Sequence, residues 1–325
     1  MSSDLKTGFG TRKKVSIPDT YRVDFTSSVN GRRYAVSVAL PAVEAPPDGY
    51  RVFYVLDAYF YFASAVEAIR ANGNTPDVVV IGIGYPDDAA FLTAALERHG
   101  RLPAWLAEKP RATAAYTLER FRDLTLPADE SYLARQAVEG WLELTPADVG
   151  GLDGFLRTLQ ADVQPRIAAT IPINPADQAI FGHSLGGLAV IHQLFTAPDA
   201  YRTFVAASPS IWWNRLAVLK DESDFAAAVR AGTATPRVLI TVGGNEDILP
   251  NLAPRFGIDT SELARLAGER RMIENARDLT SRLDALRGSG HYFVADYVVF
   301  PDQGHGISPW PALGRAIDFA FAADR

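Results

Sequence analysis

The chain has 325 residues, 48% of them hydrophobic, and a formal net charge of −6, which is the profile of an ordinary globular protein. A mildly acidic chain without a basic cluster attracts neither nucleic acid nor an anionic membrane, and no apolar run is long enough to span a bilayer. The absence of cysteine excludes a disulfide framework, a thiolate nucleophile and cysteine-ligated metal. Residues 1–14 are polar and contain no apolar signal segment, so we expect a cytoplasmic protein.

Strand and helix patterns alternate along the chain. Residues 21–40 predict an edge hairpin that turns at Asn30-Gly31, a dipeptide suited to a type I′ turn. Short apolar runs predict further strands, and apolar residues at helical spacing predict helices. The strands are expected at 51–56, 78–83, 178–182, 204–207, 237–242 and 292–300. The helices are expected at 59–71, 152–169, 185–195, 224–231, 261–286 and 310–322.

This alternation indicates the α/β class, with a mostly parallel central sheet and helices on both faces. One long stretch does not fit the pattern. Residues 86–149 contain charges, prolines and scattered aromatic residues, and we interpret them as a cap-like insertion over the sheet. We therefore predict a single domain over residues 1–325, with a cap or excursion at about 86–149.

The segment Gly182-His183-Ser184-Leu185-Gly186 contains the pattern Gly-x-Ser-x-Gly between a predicted strand and a predicted helix. In the α/β-hydrolase fold this pattern forms a strained turn that exposes the serine hydroxyl above the strand ends. The helix that follows directs free N–H groups and its positive end at the turn, which suits a developing oxyanion. We predict an α/β-hydrolase fold with Ser184 as nucleophile.

A serine hydroxyl is a weak nucleophile and needs a base within hydrogen-bond reach. Five histidines are present, and His305 lies in the loop between the last predicted strand and the last predicted helix. That loop belongs to the edge of a parallel sheet at which active sites form. Its position after the serine also fits the order Ser, acid, His. We predict His305 as the general base.

The acid of the triad must lie between these residues and orient the imidazole. The loop after the strand at 237–242 contains two adjacent carboxylates, Glu246 and Asp247. The pattern of residues alone does not choose between them, because side-chain direction in a loop changes from one residue to the next.

Several stretches together resemble the esterase D-like branch of the α/β-hydrolases, and within it the siderophore esterases of the enterobactin and salmochelin type. The resemblance runs from about residue 20 to the C-terminus. It implies ester hydrolysis through an acyl-enzyme, without a metal or organic cofactor. The stretches that carry it are Tyr-Val-Leu-Asp at 54–57, Ile-Gly-Ile-Gly-Tyr-Pro at 81–86, Arg-Phe-Arg-Asp-Leu-Thr at 120–125, the elbow at 181–188 and Ser-Pro-Ser-Ile-Trp-Trp-Asn at 208–214.

The resemblance also implies roles for individual residues. The family pattern Val-Gly-x-x-Glu falls on 242–246 and selects Glu246 as the acid, with Asp247 as runner-up. The oxyanion hole would consist of the N–H of Leu185 and that of either Ala58 or Tyr59, in the turn after the first buried strand. Here Ala58 stands where the family usually has glycine, so the choice between the last two is left open.

Three residues are candidates for substrate binding. Arg120 either contacts an oxygen-rich group of the substrate or forms an ion pair with nearby Asp123. Trp212 and Trp213 either form an aromatic wall of the pocket or pack in the interior. Three other arginines, at 270, 271 and 277, are interpreted as solvated charges on a long helix.

The leading hypothesis is a serine esterase that acts on siderophore trilactones or aryl esters, with a small-molecule ester as its partner. Within the same chemistry, the alternatives are a general short-chain or aryl esterase and an acyltransferase. In a different class, an inactive hydrolase-fold scaffold would serve as a binding module. The sequence does not predict the oligomeric state.

Overall fold

The computed structural model describes residues 15–100, 102–137, 142–246, 259–287 and 293–322. The strands in these ranges are β1 (Thr20–Thr26), β2 (Arg33–Ala39), β3 (Tyr50–Leu56), β4 (Val78–Gly84), β5 (Ile173–His183), β6 (Thr203–Ala207), β7 (Arg237–Gly243) and β8 (Val294–Phe300). They form one sheet in the order β1-β2-β4-β3-β5-β6-β7-β8.

Helices connect the strands on both sides of the sheet. The α-helices in the described ranges are α1 (Ala58–Ala71), α2 (Ala89–His99), α3 (Ala104–Ala107), α4 (Arg111–Asp123), α5 (Glu130–Gln136), α6 (Leu152–Thr158), α7 (Gln164–Thr170), α8 (Leu185–Thr196), α9 (Trp213–Leu216), α10 (Glu222–Arg230), α11 (Thr260–Arg270), α12 (Met272–Asp284) and α13 (Pro309–Phe321).

The sheet is parallel from β3 to β8, while β1 and β2 form an antiparallel hairpin that joins the edge at β4. Successive side chains of β3 enter two different cores, as strand geometry requires. Val52, Tyr54 and Leu56 pack in the core under α8 and α12, whereas Phe53 and Val55 pack in the core under α1 and α13. The predicted α/β-hydrolase fold, with helices on both faces of a mostly parallel sheet, is confirmed.

The predicted hairpin is present, but its predicted type I′ turn is wrong. The last pair of the hairpin ladder joins Thr26 to Arg33, so the connection contains six residues and not two. Gly31 has a φ of 69° while Asn30 does not enter the positive region. A type I′ turn needs positive φ at both central residues, so Asn30-Gly31 forms part of a longer loop.

Residues 86–149 are more regular than the sequence indicated, because α2 to α5 lie within them. Pro103 and Pro110 directly precede α3 and α4. Proline is tolerated at the start of a helix but not in its interior, so it divides this stretch into helices of 4 to 13 residues. Helices this short give little periodic signal in the sequence.

Two long predicted helices are interrupted. A π-helical turn at Leu159–Val163 joins α6 to α7, next to Pro165, which has no N–H to donate to the preceding turn. The stretch at 261–286 divides into α11 and α12 at Arg271, whose φ is 45°. Across the residues described, no helix combines the length and the apolar character that a membrane crossing demands.

Candidate active site

Ser184 lies in the sharp turn between β5 and α8. Its φ of 61° and ψ of −115° are unfavourable for a residue with a side chain, so the turn is strained. Two backbone hydrogen bonds hold this strained conformation. The N–H of Ser184 donates to the carbonyl of Ala207 at 2.9 Å, and the N–H of Leu188 donates to the carbonyl of Ser184 at 2.9 Å. The serine hydroxyl is therefore carried on a backbone fixed by both β6 and α8.

The glycines around this serine allow the close approach of backbone. A Cβ atom at Gly182 would lie 2.2 Å from the carbonyl oxygen of Gly186, and one at Gly187 would lie 2.9 Å from that of Ala207. A side chain at either position would clash, because the neighbouring atoms belong to backbone that cannot shift to make room. The small residues of the motif are thus required by the packing of the turn.

The structure brings Ser184, His305 and Glu246 together from three separate loops. The Nε2 atom of His305 lies 2.9 Å from the Oγ atom of Ser184, and its Nδ1 atom lies 2.5 Å from Oε2 of Glu246. An ionised carboxylate only accepts hydrogen bonds, so Nδ1 carries the ring proton and Nε2 is left to accept the serine proton. The side chain of Glu246 is fully buried, whereas that of His305 is 42% exposed.

Glu246 is held by donors on both of its oxygens. Its Oε1 atom accepts hydrogen bonds from Oγ of Ser208 at 2.5 Å, the N–H of Gly243 at 3.0 Å and Oγ of Ser308 at 3.1 Å. Burial opposes ionisation, but the bonds from His305, Ser208 and the N–H of Gly243 outweigh it and lower the pKa of Glu246. The carboxylate therefore remains charged and cannot rotate away from the imidazole.

Ser208 and Ser308 were not among the predicted site residues. Ser208 opens the Ser-Pro-Ser stretch, which in the sequence carries only part of the family resemblance. Ser308 lies three residues after His305, and nothing in its surroundings in the sequence distinguishes it from other loop serines. The runner-up acid, Asp247, lies outside the described residues.

The other described histidines do not contact the hydroxyl of Ser184. His183 is buried, with Nδ1 at 2.9 Å from the hydroxyl of Tyr61, and its ring centre lies 4.6 Å from that of His305. Burial, and after it the nearby charge of His305, holds the pKa of His183 well below its usual range. His192 pairs with Asp153 at 2.7 Å on α6.

Two helix N-termini meet beside the serine. Leu185 is the first residue of α8, and Ala58 is the first residue of α1, directly after Asp57 in its left-handed conformation with φ 54°. The two turns touch, since a Cβ atom at Gly186 would lie 3.3 Å from Oδ2 of Asp57. N–H groups in the first turn have no partner within their helix, and they are free to bind an anion there.

Leu185 with either Ala58 or Tyr59 stays a prediction for the oxyanion hole. The side chain of Ala58 is buried and that of Tyr59 is 49% exposed. The hydroxyl of Tyr59 accepts a hydrogen bond from Thr113 on α4 at 3.1 Å. This arrangement directs the side chain of Tyr59 towards α4 while its N–H stays in the first turn of α1.

Arg120 reaches from α4 to the turn that precedes α1. Its Nε and Nη2 atoms donate to Asp57 at 3.1 and 2.8 Å, and Nη2 also donates to the carbonyl of His183 at 3.3 Å. The predicted ion pair between Arg120 and Asp123 is wrong, because Asp123 is buried at the end of α4 and pairs with Arg32 from the hairpin loop. A contact between Arg120 and substrate stays a prediction.

The two tryptophans have different surroundings. Trp213 is buried, and its Nε1 donates to the carbonyl of Leu126 at 2.7 Å, so it packs in the interior and cannot form part of a pocket wall. Trp212 is half-buried, and the guanidinium of Arg270 lies 4.3 Å from its ring centre. The interpretation of Arg270 as a solvated charge is therefore wrong.

A strained strand-to-helix serine, hydrogen-bonded to a histidine that is itself held by a buried carboxylate, is the arrangement of a serine hydrolase on the α/β-hydrolase fold. Groups of three or more His, Asp or Glu side chains that could hold a metal ion are absent from the described residues. The comparisons with known proteins agree with this class.

A family model described as "Putative esterase" matches residues 111–295. The ferri-bacillibactin esterase BesA of Bacillus subtilis (strain 168) is 32% identical over 327 residues, which cover 98% of this chain and 95% of BesA. A siderophore enterobactin esterase of Emericella nidulans is 31% identical over 278 residues, 82% of this chain and 80% of its own. Among solved structures, the siderophore hydrolase EstA from Aspergillus nidulans has a TM-score of 0.69 at 25% identity, covering 95% of this chain and 98% of EstA.

The chain belongs to this esterase family, and it is a serine esterase that acts on carboxylic ester bonds. The predicted family, fold and reaction class are confirmed.

Proposed function

We propose that this esterase hydrolyses carboxylic esters with Ser184 as nucleophile, His305 as general base and Glu246 as the acid that orients it. One observation carries the proposal, the unbroken chain of hydrogen bonds from Glu246 through His305 to the hydroxyl of Ser184. No other described histidine is hydrogen-bonded to this hydroxyl, and the carboxylate behind His305 is buried and charged.

The reaction follows from the positions of these atoms. Nε2 of His305 takes the proton of Ser184 Oγ as this oxygen attacks the ester carbonyl carbon. Glu246 keeps the Nδ1 proton in place and stabilises the positive imidazolium. The negative charge on the former carbonyl oxygen falls at the N-termini of α1 and α8, where the N–H groups of Leu185 and of Ala58 or Tyr59 would bind it.

His305 then returns its proton to the leaving alcohol, and water later resolves the acyl-enzyme. The tetrahedral intermediate expels the alkoxide, which takes the proton from His305 and leaves as an alcohol. A water molecule then gives a proton to His305 and attacks the acyl-enzyme, which releases the carboxylic acid and restores Ser184. Each transfer in this scheme uses side chains, backbone N–H groups and water.

The substrate class that we propose is a siderophore ester, of the trilactone or aryl type. The relatives support it, since two proteins that align with more than four-fifths of this chain are named as ferri-bacillibactin and enterobactin esterases. We also propose that α2 to α5 form the cap of the site, because Arg120 of α4 ties this region to the turn before α1. A cytoplasmic location stays a prediction.

An ester panel tests the proposed function. The purified protein and its Ser184→Ala variant are assayed on acetate, longer acyl, aryl and trilactone esters, with hydrolysis and transfer to added alcohol measured separately. We expect the wild type to hydrolyse trilactones with the highest kcat/KM and the variant to lose activity on every ester by about 10⁴-fold or more, with its fold intact by circular dichroism.

Other outcomes of the panel would contradict parts of the proposal. Wild-type-like hydrolysis by Ser184→Ala would remove the nucleophile assignment. A preference for acetate esters would favour a general esterase, and faster transfer than hydrolysis would favour an acyltransferase. Binding of the esters without any turnover would indicate an inactive scaffold.

A further inference from the structure

A basic and aromatic cleft lies between α5, the start of α9 and the end of α11. Three arginines and two aromatic rings line it, and we call it the arginine cleft. These residues are Arg135, Arg215, Arg270, Tyr132 and Trp212.

Arg270 in this cleft has no carboxylate partner among the described residues. Its guanidinium stacks on Trp212, and its Nε atom is enclosed by protein without a hydrogen-bond acceptor in the described part of the chain. Burial lowers the pKa of Arg270, because desolvation penalises the charge and no described anion offsets it. A charge withdrawn from water without a partner costs folding free energy.

The charges around Arg270 leave the cleft positive. Arg215 pairs with Asp129 at 3.2 Å, and Glu269 in the cleft wall is engaged by Arg265 at 2.7 Å. Arg135 is exposed and forms no ion pair with a described residue. The guanidinium groups of Arg135 and Arg270 thus have no carboxylate partner among the described residues, so the positive charge that they bring to the cleft is not offset by one.

The arginine cleft is linked to the nucleophile turn along the chain through Ser210. The hydroxyl of Ser210 lies 3.5 Å from that of Ser184, and the N–H of Ser210 donates to the carbonyl of Ser184 at 3.1 Å. Trp212 follows Ser210 by two residues, so their Cα atoms are at most about 7.6 Å apart. One wall residue of the arginine cleft, Trp212, is thus two residues along the chain from a serine that lies beside the nucleophile.

We propose that the arginine cleft binds an anionic, planar, oxygen-bearing arm of the ester substrate, through Arg270 and Arg135, beside Trp212. Guanidinium is suited to this chemistry because its fork of donors matches paired oxygens in one plane. An aryl carboxylate and a metal-bound catecholate both have such oxygens. This inference rests on the proposed function, since it assigns an arm of the substrate of Ser184.

The test compares two esters that differ only in the charge of this arm and adds a third whose arm is a metal-bound catecholate. One ester carries an aryl carboxylate, a second carries the matching neutral carboxamide, and a third carries a catecholate bound to gallium(III). We expect Arg270→Gln to lower kcat/KM for the two anionic esters relative to the carboxamide by ten- to a hundredfold, the usual range for a lost charge-assisted contact. Arg135→Gln, at an exposed position, should change the same ratio in the same direction.

A binding measurement separates this inference from the proposed function. In the Ser184→Ala background, calorimetric titration with the carboxylate ester should give a Kd that Arg270→Gln weakens by ten- to a hundredfold. Arg277→Gln is the matched control, because Arg277 is exposed on α12 and does not line the arginine cleft. The control should leave both Kd and the ratio of kcat/KM values unchanged.

Two results would overturn the inference while the triad stands. One is an equal loss on all three esters in both Arg270→Gln and Arg135→Gln. The other is an unchanged Kd for the carboxylate ester in both variants. If instead Ser184→Ala retains ester turnover, the proposed function fails, whatever the arginine variants show.

Discussion

The catalytic corner, formed by the triad and the Arg120–Asp57 pair, and the arginine cleft differ in how their charged groups are partnered. In the catalytic corner, Glu246 accepts hydrogen bonds on both oxygens, and Asp57 is held by two donors of Arg120. In the cleft, Arg270 and Arg135 have no carboxylate among the described residues. The difference shows that the charged groups around the triad are held in one geometry by partners, whereas Arg270 and Arg135 are not held by a described carboxylate.

The largest effect in the catalytic corner, after loss of the nucleophile itself, is expected from the acid. Glu246→Gln should lower kcat by about 10³- to 10⁴-fold, because an amide in this position favours the wrong tautomer of His305. Steady-state kinetics on an aryl ester measures the effect. Asp247→Asn is the matched control and should have a much smaller one. The reverse order would transfer the role to Asp247, and two small effects would indicate a Ser–His dyad.

Arg120→Gln tests whether Arg120 differs from the arginines of the cleft by having a structural role. It leaves the buried carboxylate of Asp57 without its partner, so we expect a loss of about 3–5 kcal/mol in the free energy of unfolding. Where Arg120 acts only through Asp57, turnover should fall by a similar factor on anionic and neutral esters, because the variant then loosens the turn before α1 for every substrate. Thermal melting and the substrate pair measure the two effects.

Arg111→Gln, at an exposed position on the same helix α4, is the control for that experiment. A loss confined to anionic esters, with an unchanged melting temperature, would make Arg120 a substrate contact. The contrast with the arginine cleft would then disappear, since both arginines would bind the substrate.

The smallest effect is expected from Ser308→Ala, which removes one of three donors to Oε1 of Glu246. We expect a loss of about 1 kcal/mol in stability at pH 7 and a roughly fivefold lower kcat/KM. The pKa of Glu246 is depressed in the folded state, so its stabilisation is present above the unfolded value of about 4.3 and is lost as the pH falls through the folded value.

The difference in stability between wild type and Ser308→Ala should therefore shrink at acidic pH. Denaturant unfolding at pH 7 and at pH 3 measures this change. A difference that stays the same at both values would mean that Ser308 acts by packing and not through the charge of Glu246.

Much of the fold could be predicted from the sequence because its signals are local. The buried strands β3 and β4 are continuous apolar runs, and the elbow at Ser184 needs glycines that stand in the sequence itself. His305 could be placed because chain order and strand ends define one edge of the sheet. The choice of Glu246 as the acid required the family resemblance, since the residue pattern alone does not distinguish it from the adjacent Asp247.

The ion pairs could not be predicted, because they join segments far apart in the chain. Arg120 lies three residues from Asp123 but pairs with Asp57, 63 residues away. Arg270 was interpreted as solvated because a helix surface pattern does not reveal which neighbouring element covers it. The role of Ser308 is equally invisible in the sequence, since it depends on Glu246 from another loop.

The most direct test of the account is covalent labelling with a fluorophosphonate, which reacts with a serine only when that serine is activated as a nucleophile. We expect a single adduct, mapped by peptide mass spectrometry to Ser184. Ser184→Ala should not be labelled, and Glu246→Gln should be labelled far more slowly than the wild type. Labelling of Ser184→Ala at the wild-type rate, or an adduct on a different residue of the wild type, would contradict the central claim.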